Sequence, residues 1–195
     1  TSVWEITDRD GTVMKFMSAG SFATTPIPDA DLSLRAQWRL ERITDVHGNL
    51  VIYDYYCGTL GACVPTLISY GPYDIYFNYE TRPDYILMAN GKSITQHVYR
   101  ISTMRVTFNG AIISGYALDY DQAPFSNASR LIKIRQFGTD AVLSANASDF
   151  TGTSRTLATF DYQDTAASYT RQTGLGLLGT ATANRRDIPD SSFVI

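Results

Sequence analysis

The feature that most constrains this chain is a two-residue alternation of apolar and polar positions, interrupted at short intervals by turn residues. Trp4 and Ile6 alternate, Asp8-Arg9-Asp10-Gly11 turns the chain, and Met14 and Phe16 alternate back. After a loop around Pro26 and Pro28, Trp38 and Leu40 lead through Ile43 to a turn around Gly48, and Val51, Tyr53 and Tyr55 then share one side of a strand. Ile75, Phe77 and Tyr79 run up to Glu80-Thr81-Arg82-Pro83-Asp84, where Pro83 is expected to end the strand because it has no N–H to give a ladder. Asn90-Gly91 and Asn109-Gly110 each stand between strand-like runs, and Asn-Gly readily takes the positive φ angles of a type I′ hairpin turn. Tyr116, Leu118 and Tyr120 follow, then residues 129–137 before a turn at Gly138-Thr139-Asp140, and Thr156, Ala158, Phe160 and Tyr162 form the last clear strand. A helical period is hard to find, and residues 163–190 are polar and turn-rich. The expected fold is all-β: antiparallel hairpins laid side by side in a strip, with residues 1–195 forming one β-rich segment and a possible boundary in 163–195.

An aromatic signature recurs along this pattern. Strand-like runs end at Tyr55, Tyr79, Tyr120 and Tyr162, at intervals of 24, 41 and 42 residues. Such spacing describes related units with loops of different length, not a solenoid of fixed period. Tyrosine suits a strand surface because its ring packs on cross-strand neighbours while its hydroxyl reaches solvent or a backbone group. The chain is 44% hydrophobic and only 18% charged, as a globular protein is, and its 195 residues suffice for a core. A net charge of −3 offers no footprint for nucleic acid, and no apolar run approaches the roughly 18 residues of a membrane span. A start on Thr1 and a stop on Ile195 suggest a piece of a longer protein.

Motifs that could carry chemistry lack their surroundings. Gly174–Gly179 satisfies G-x-G-x-x-G, but no helix pattern follows and no acidic residue stands about 20 positions on. Gly91-Lys92-Ser93 resembles the end of a phosphate loop, but Ile86 stands where the first glycine belongs. Asp8-Arg9-Asp10-Gly11 lacks the later ligands of a calcium loop. His47 and His97 form no metal spacing with Cys57 and Cys63. Glu80, Asp84, Asp119 and Asp121 could converge as a glycosidase pair, although acidic residues at strand ends read more simply as solvated turn residues. The sequons at Asn127 and Asn146 are of a kind that a Ser/Thr-rich chain produces by chance. No catalytic, cofactor-binding or metal-ligating residue is expected. Cys57 and Cys63 bracket a short loop at a hairpin tip and are expected to bridge, which fits an oxidising compartment.

Taken in order, residues 4–16, 38–55, 68–71, 75–84, 99–106, 115–120 and 129–138 resemble the N-terminal region of SpvB-like virulence proteins and the B component of insecticidal Tc toxin complexes, relatives of the Rhs/YD-repeat proteins. Residues 159–163 fit the next strand of the same pattern. The resemblance implies hairpins in a strip that spirals into a hollow shell. That shell, with a C-type partner protein, encloses a cytotoxic effector and holds it unfolded until delivery. It implies a secreted protein whose partners are other segments of the shell and the C-type partner. The Glu-x-Glu pair of the SpvB ADP-ribosyltransferase module is missing, since the chain's glutamates are Glu5, Glu41 and Glu80. Two other functions compete with the shell segment. One is an extracellular glycan-binding or adhesion module with a concave aromatic groove. The other is a β-sandwich glycosidase with two carboxylates ~5–10 Å apart.

Overall fold

The computed structural model describes residues 3–23, 37–58, 62–90, 93–124 and 126–164. The chain divides into two units, Thr1–Asp164 and Thr165–Ile195. The second unit lies outside the described residues, and with it the Gly174–Gly179 motif and most of the turn-rich stretch, as does the loop around Pro26 and Pro28.

The described chain is almost entirely strand. In order these are β1 (Val3–Thr7), β2 (Val13–Ser18), a short 3-10 turn (Ala19–Phe22), β3 (Trp38–Thr44), β4 (Leu50–Cys57), β5 (Cys63–Tyr70), β6 (Tyr73–Asn90), β7 (Ser93–Phe108), β8 (Ala111–Gln122), β9 (Ser129–Phe137), β10 (Val142–Leu143), β11 (Phe150–Thr151) and β12 (Ser154–Thr159). Ten of them make one sheet in the order β1-β2-β3-β4-β5-β6-β7-β8-β9-β12, and β10 and β11 form a separate two-stranded ribbon. Every pairing between these strands is antiparallel.

The turns follow their chemistry. Asn109 and Gly110 take φ +48° and +80° between the paired residues Phe108 and Ala111, the geometry of a two-residue hairpin loop. At Gly48, φ is +82°, and the Asp45 carboxylate accepts the amides of His47 and Asn49. The expected Asn90-Gly91 turn falls partly outside the described residues: Asn90 pairs with Ser93, and 91–92 are not described. A further tight turn, Gly71-Pro72 between the paired residues Tyr70 and Tyr73, was not singled out from the sequence.

Register alternates the faces over seven strands. One transverse row reads Ile6, Met14, Ile43, Val51, Tyr70, Tyr73, Phe108; the adjacent row, one residue along, reads Glu5, Lys15, Arg42, Ile52, Ser69, Asp74, Thr107. Successive side chains of a strand point to opposite faces, so the sheet has an apolar side and a largely polar side. Buried apolar residues gather in two small clusters. Ala19, Cys57 and Cys63 form one, with Phe22, Ala23 and Tyr55 against it. Ala117, Phe137, Ala141 and Phe150 form the other, where residues 138–153 fold back onto β8. There the buried Thr103 hydroxyl donates to the carbonyl of Ala147 at 2.8 Å.

Two strand boundaries differ from expectation. Pro83 does not end its strand: β6 runs on to Asn90, and the ladder with β7 jumps from Thr81↔Tyr99 to Ile86↔His97. Residues 82–85 therefore oppose Val98 alone, and this bulge takes the proline out of the hydrogen-bonded ladder. At the other end β12 stops at Thr159, before Phe160 and Tyr162, whose contacts to β9 run through one amide and one hydroxyl instead of continued pairing.

Gly115 marks a close approach: a Cβ there would lie 3.0 Å from Cζ of Phe150 and 3.1 Å from two further ring atoms. Replacing Gly115 by Ala should push Phe150 out of its buried seat and lower stability by about 1–3 kcal/mol, read as a shift of the denaturation midpoint without change of slope.

Candidate functional site: a row of tyrosine hydroxyls across the sheet

The four signature tyrosines do the same thing at four places. The hydroxyl of Tyr55 donates to the carbonyl of Leu40 at 3.0 Å, Tyr79 to Pro65 at 2.6 Å, Tyr120 to Ile101 at 2.8 Å and Tyr162 to Leu131 at 2.9 Å. In each case the acceptor lies on the strand paired on the N-terminal side: β3, β5, β7 and β9.

The ladder explains why. Pairing with the preceding strand ends at Ile52↔Arg42, Tyr76↔Leu67, Ala117↔Thr103 and Thr159↔Lys133. The tyrosine stands three residues beyond each last pair, and the accepting carbonyl belongs to the residue two beyond on the facing strand. Where backbone pairing with the preceding strand stops, the side chain spans the gap and its hydroxyl donates to a carbonyl of that strand.

The same residues meet the following strand at a bulge. Between Asp54↔Leu67 and Tyr55↔Pro65, between Asn78↔Thr103 and Tyr79↔Ile101, and between Asp119↔Lys133 and Tyr120↔Leu131, the facing strand carries one unpaired residue: Thr66, Ser102 or Ile132. Each of these directly follows an accepting residue. A bulge bends its strand locally and re-aims neighbouring groups, which is what turns those carbonyls toward the next tyrosine. The units link into a line across seven strands, β3 to β9, and the segment that follows β12: Leu40, Tyr55, Pro65, Tyr79, Ile101, Tyr120, Leu131, Tyr162. Its first member shows the rule by exception. Phe16 pairs with Leu40 beside the unpaired Glu41, but it has no hydroxyl, and its ladder with β1 continues through Trp4↔Phe16 to Val3↔Met17.

Arginines reinforce two of the links. Arg100 lies 4.4 Å from the Tyr120 ring centroid and donates to Glu80, its register partner, at 2.6 Å. Arg130 lies 4.8 Å from the Tyr162 ring and holds Asp121, its own register partner, through two hydrogen bonds of 2.9 and 2.7 Å, with Asp164 as a further partner. An acidic residue just after one tyrosine thus grips the arginine that faces the next. Burial pushes Tyr79 up to about 12 and raises Tyr55 and Tyr120 above the ordinary tyrosine value, offset in part by Arg39 and Arg100 respectively. The proton therefore stays on hydroxyls that must donate.

The four carboxylates considered for sugar hydrolysis lie on strands, not in turns, and each is paired with an arginine. Glu80 is held by Arg100, Asp121 by Arg130, and Asp119 by two hydrogen bonds from Arg135. Asp84, carried out of the β6 ladder by the Pro83 bulge, accepts from Arg82 through both oxygens and from the amide and hydroxyl of Ser129, tying β6 to β9. Hydrogen bonds from Arg82 and then Ser129 hold Asp84 well below the usual carboxylate range, and Arg130 lowers Asp121. A glycosidase's acid needs a raised value; these two carboxylates are displaced the other way.

Cys57 and Cys63 are the last register pair of β4 and β5, and the structure joins their sulfurs. His47 sits in its turn and His97 on β7, apart from each other in the fold. Among the described residues no group of three or more His, Cys, Asp or Glu is arranged to hold a metal ion.

No protein-family model and no curated protein sequence matches the chain. Among solved structures it is similar to the N-terminal domain of the effector protein SpvB from Salmonella typhimurium strain LT2, with a TM-score of 0.58 and 14% sequence identity. The match covers 70% of this chain, and the chain spans 61% of the length of that one. At this identity the likeness is one of fold.

Replacing Tyr79 by Phe removes the hydrogen bond to the Pro65 carbonyl, which should destabilise by about 0.5–1.5 kcal/mol. The same change at Tyr162, 44% exposed, should have a smaller effect because water replaces the bond. The tyrosine titration supplies a second test. With a folded value near 12 against 10.0 unfolded, the contribution of Tyr79 is fully present below pH 10 and is lost as pH rises through about 12. Ultraviolet absorbance should show a late-titrating class in the native protein, reduced by one in the Tyr79→Phe variant. Asp84 has the opposite sign: its contribution is present above the unfolded value near 3.8 and fades as pH falls through its lower folded value. Asp84→Asn should therefore destabilise the protein at pH 7 and flatten its loss of stability in acid.

Proposed function

We propose that this chain is a wall segment of a secreted toxin shell of the SpvB/Tc/Rhs kind, acting as a structural enclosure and not as an enzyme. The observation that carries this reading is the tyrosine row. One lock, with one offset from the end of the ladder, joins hairpin to hairpin although the intervals between tyrosines range from 24 to 42 residues. A construction indifferent to loop length suits a wall built by adding hairpins. It also accounts for an aromatic signature with no complete catalytic motif in the sequence around it. The shared fold with the SpvB N-terminal domain supports the reading, as does the engagement of Glu80, Asp84, Asp119 and Asp121 by arginines.

In this role the partners are other segments of the same shell and a C-type toxin protein whose effector is enclosed and delivered. The test is to co-express the protein that carries this segment with its C-type partner and to challenge the complex with protease. The effector should resist digestion in the intact complex and become sensitive when Tyr79 and Tyr120 are both replaced by Ala. Digestion at the same rate with and without the shell protein would overturn the proposal. Hydrolysis of glycosides by the folded protein, abolished by substituting Glu80 or Asp84, would replace it with the glycosidase reading.

A further inference from the structure

The tip of the β4–β5 hairpin is built differently from the rest of the sheet. Beyond Ile52 strand β4 no longer pairs with β3, so past the tyrosine row this finger holds together through the pairs Tyr55↔Pro65, Tyr56↔Val64 and Cys57↔Cys63, with a hydrogen bond from the Gly58 amide to the Ala62 carbonyl beyond them and the Tyr56 ring against Tyr99 of β7. One of these three pairs contains a proline, which gives the ladder no N–H. The strap Ala19–Ala23 lies against the finger: Ala23 forms a parallel backbone bridge with Cys57, and the Phe22 ring meets the Tyr55 ring edge-on at 5.1 Å. The buried residues where strap and finger meet are small: Ala19 of the strap at 0%, and Cys57 and Cys63 of the finger at 1% and 8% exposure. Side chains of that size bury little apolar area, so apart from the Phe22–Tyr55 contact the strap is anchored by its backbone: the Ala19 amide donates to the Gln37 carbonyl at 2.8 Å at one end, and Ala23 bridges to Cys57 at the other. The strap's backbone bridge lands on a cysteine that is itself clasped to its partner strand.

We propose that Cys57–Cys63 is a redox latch: oxidised, it holds the strap Ala19–Ala23 closed over Tyr55, and reduction by a low-molecular-weight thiol releases the strap while leaving the sheet intact. Attack falls on Sγ of Cys63, which belongs to the more exposed residue of the pair. A thiolate of the reductant bonds to that sulfur, the Cys57–Cys63 bond breaks, and Cys57 leaves as a thiolate that takes a proton from water. A second reductant thiolate then attacks the reductant's own sulfur in the mixed disulfide. Cys63 is freed and the reductant departs as its disulfide, so two thiols supply the two electrons. A protein passing from an oxidising to a reducing compartment would meet such thiols. The latch is independent of the shell reading, because it concerns only the coupling of one bond to one strap.

Hydrogen–deuterium exchange read by mass spectrometry tests it on the full chain, with and without millimolar glutathione. Reduction should raise exchange at residues 19–23 and 55–57 and leave β7, β8 and β9 unchanged. The double variant Cys57→Ala/Cys63→Ala should show that pattern without reductant. A thiol trap applied early should find the mixed disulfide on Cys63. Free thiols in the air-exposed native protein by intact mass, unchanged exchange at 19–23 after reduction, or loss of protection across the whole sheet would each overturn the latch. Because the wild-type protein is reduced in place, the test stands even if the double variant fails to fold.

Discussion

A hydrogen bond from a tyrosine hydroxyl to a main-chain carbonyl, made where strand pairing stops, is the interaction on which this sheet depends. Along the line from Tyr55 to Tyr162 neighbouring hairpins begin to part, and a parted sheet exposes unpaired carbonyls and separates its strands. A tyrosine solves both problems at once, because its rigid ring fills the gap and its hydroxyl reaches the carbonyl. Burial keeps that hydroxyl protonated. The bulges at Thr66, Ser102 and Ile132 are the matching half of the device, since each follows the residue whose carbonyl accepts.

Around this line the other interactions fall into place. The arginines before Ile101 and Leu131 cover the rings of Tyr120 and Tyr162 while gripping the acidic residues after Tyr79 and Tyr120. Each pair is part-exposed and worth little alone, but a series of bidentate or ring-stacked pairs fixes register. Val64 stands where an arginine would precede Pro65, and there the link has no cation over the ring. That part of the sheet instead carries the cysteine pair and the strap across Tyr55. Farther along, residues 138–153 close over Gly115 and Ala117, positions small enough to admit the Phe150 ring.

Much of the fold was legible in the residues. Alternation gave the strands, and Asn109-Gly110 and Gly48 gave turns whose positive φ angles the structure contains. Pro83 misled for a physical reason: it does leave the ladder, but through a bulge that one residue on β7 faces, and the strand resumes. The tyrosines were recognisable as a repeat, whereas the partner of their hydroxyls was not, because either solvent or backbone satisfies a phenol on a strand. The acidic residues read as turn residues because some of their partners, those of Glu80 and Asp119 and the Ser129 that holds Asp84, are distant in sequence. Arg100 stands 20 residues from Glu80, and Ser129 stands 45 from Asp84. A sequence signal existed: an acidic residue follows Tyr79 and Tyr120, and an arginine precedes an aliphatic at 100–101 and 130–131.

What the sequence by itself determined is local. Period-two alternation, β-branched and aromatic residues and glycine-bearing turns require antiparallel hairpins, since these follow from the conformations each residue and its near neighbours allow. Where pairing ends was decided only by the tertiary structure. Ladder length, bulge position and the reach of a side chain to a carbonyl 14 to 31 residues away depend on how separate hairpins twist against one another. The tyrosines mark the places in the sequence, and the assembled sheet supplies the carbonyls they hold.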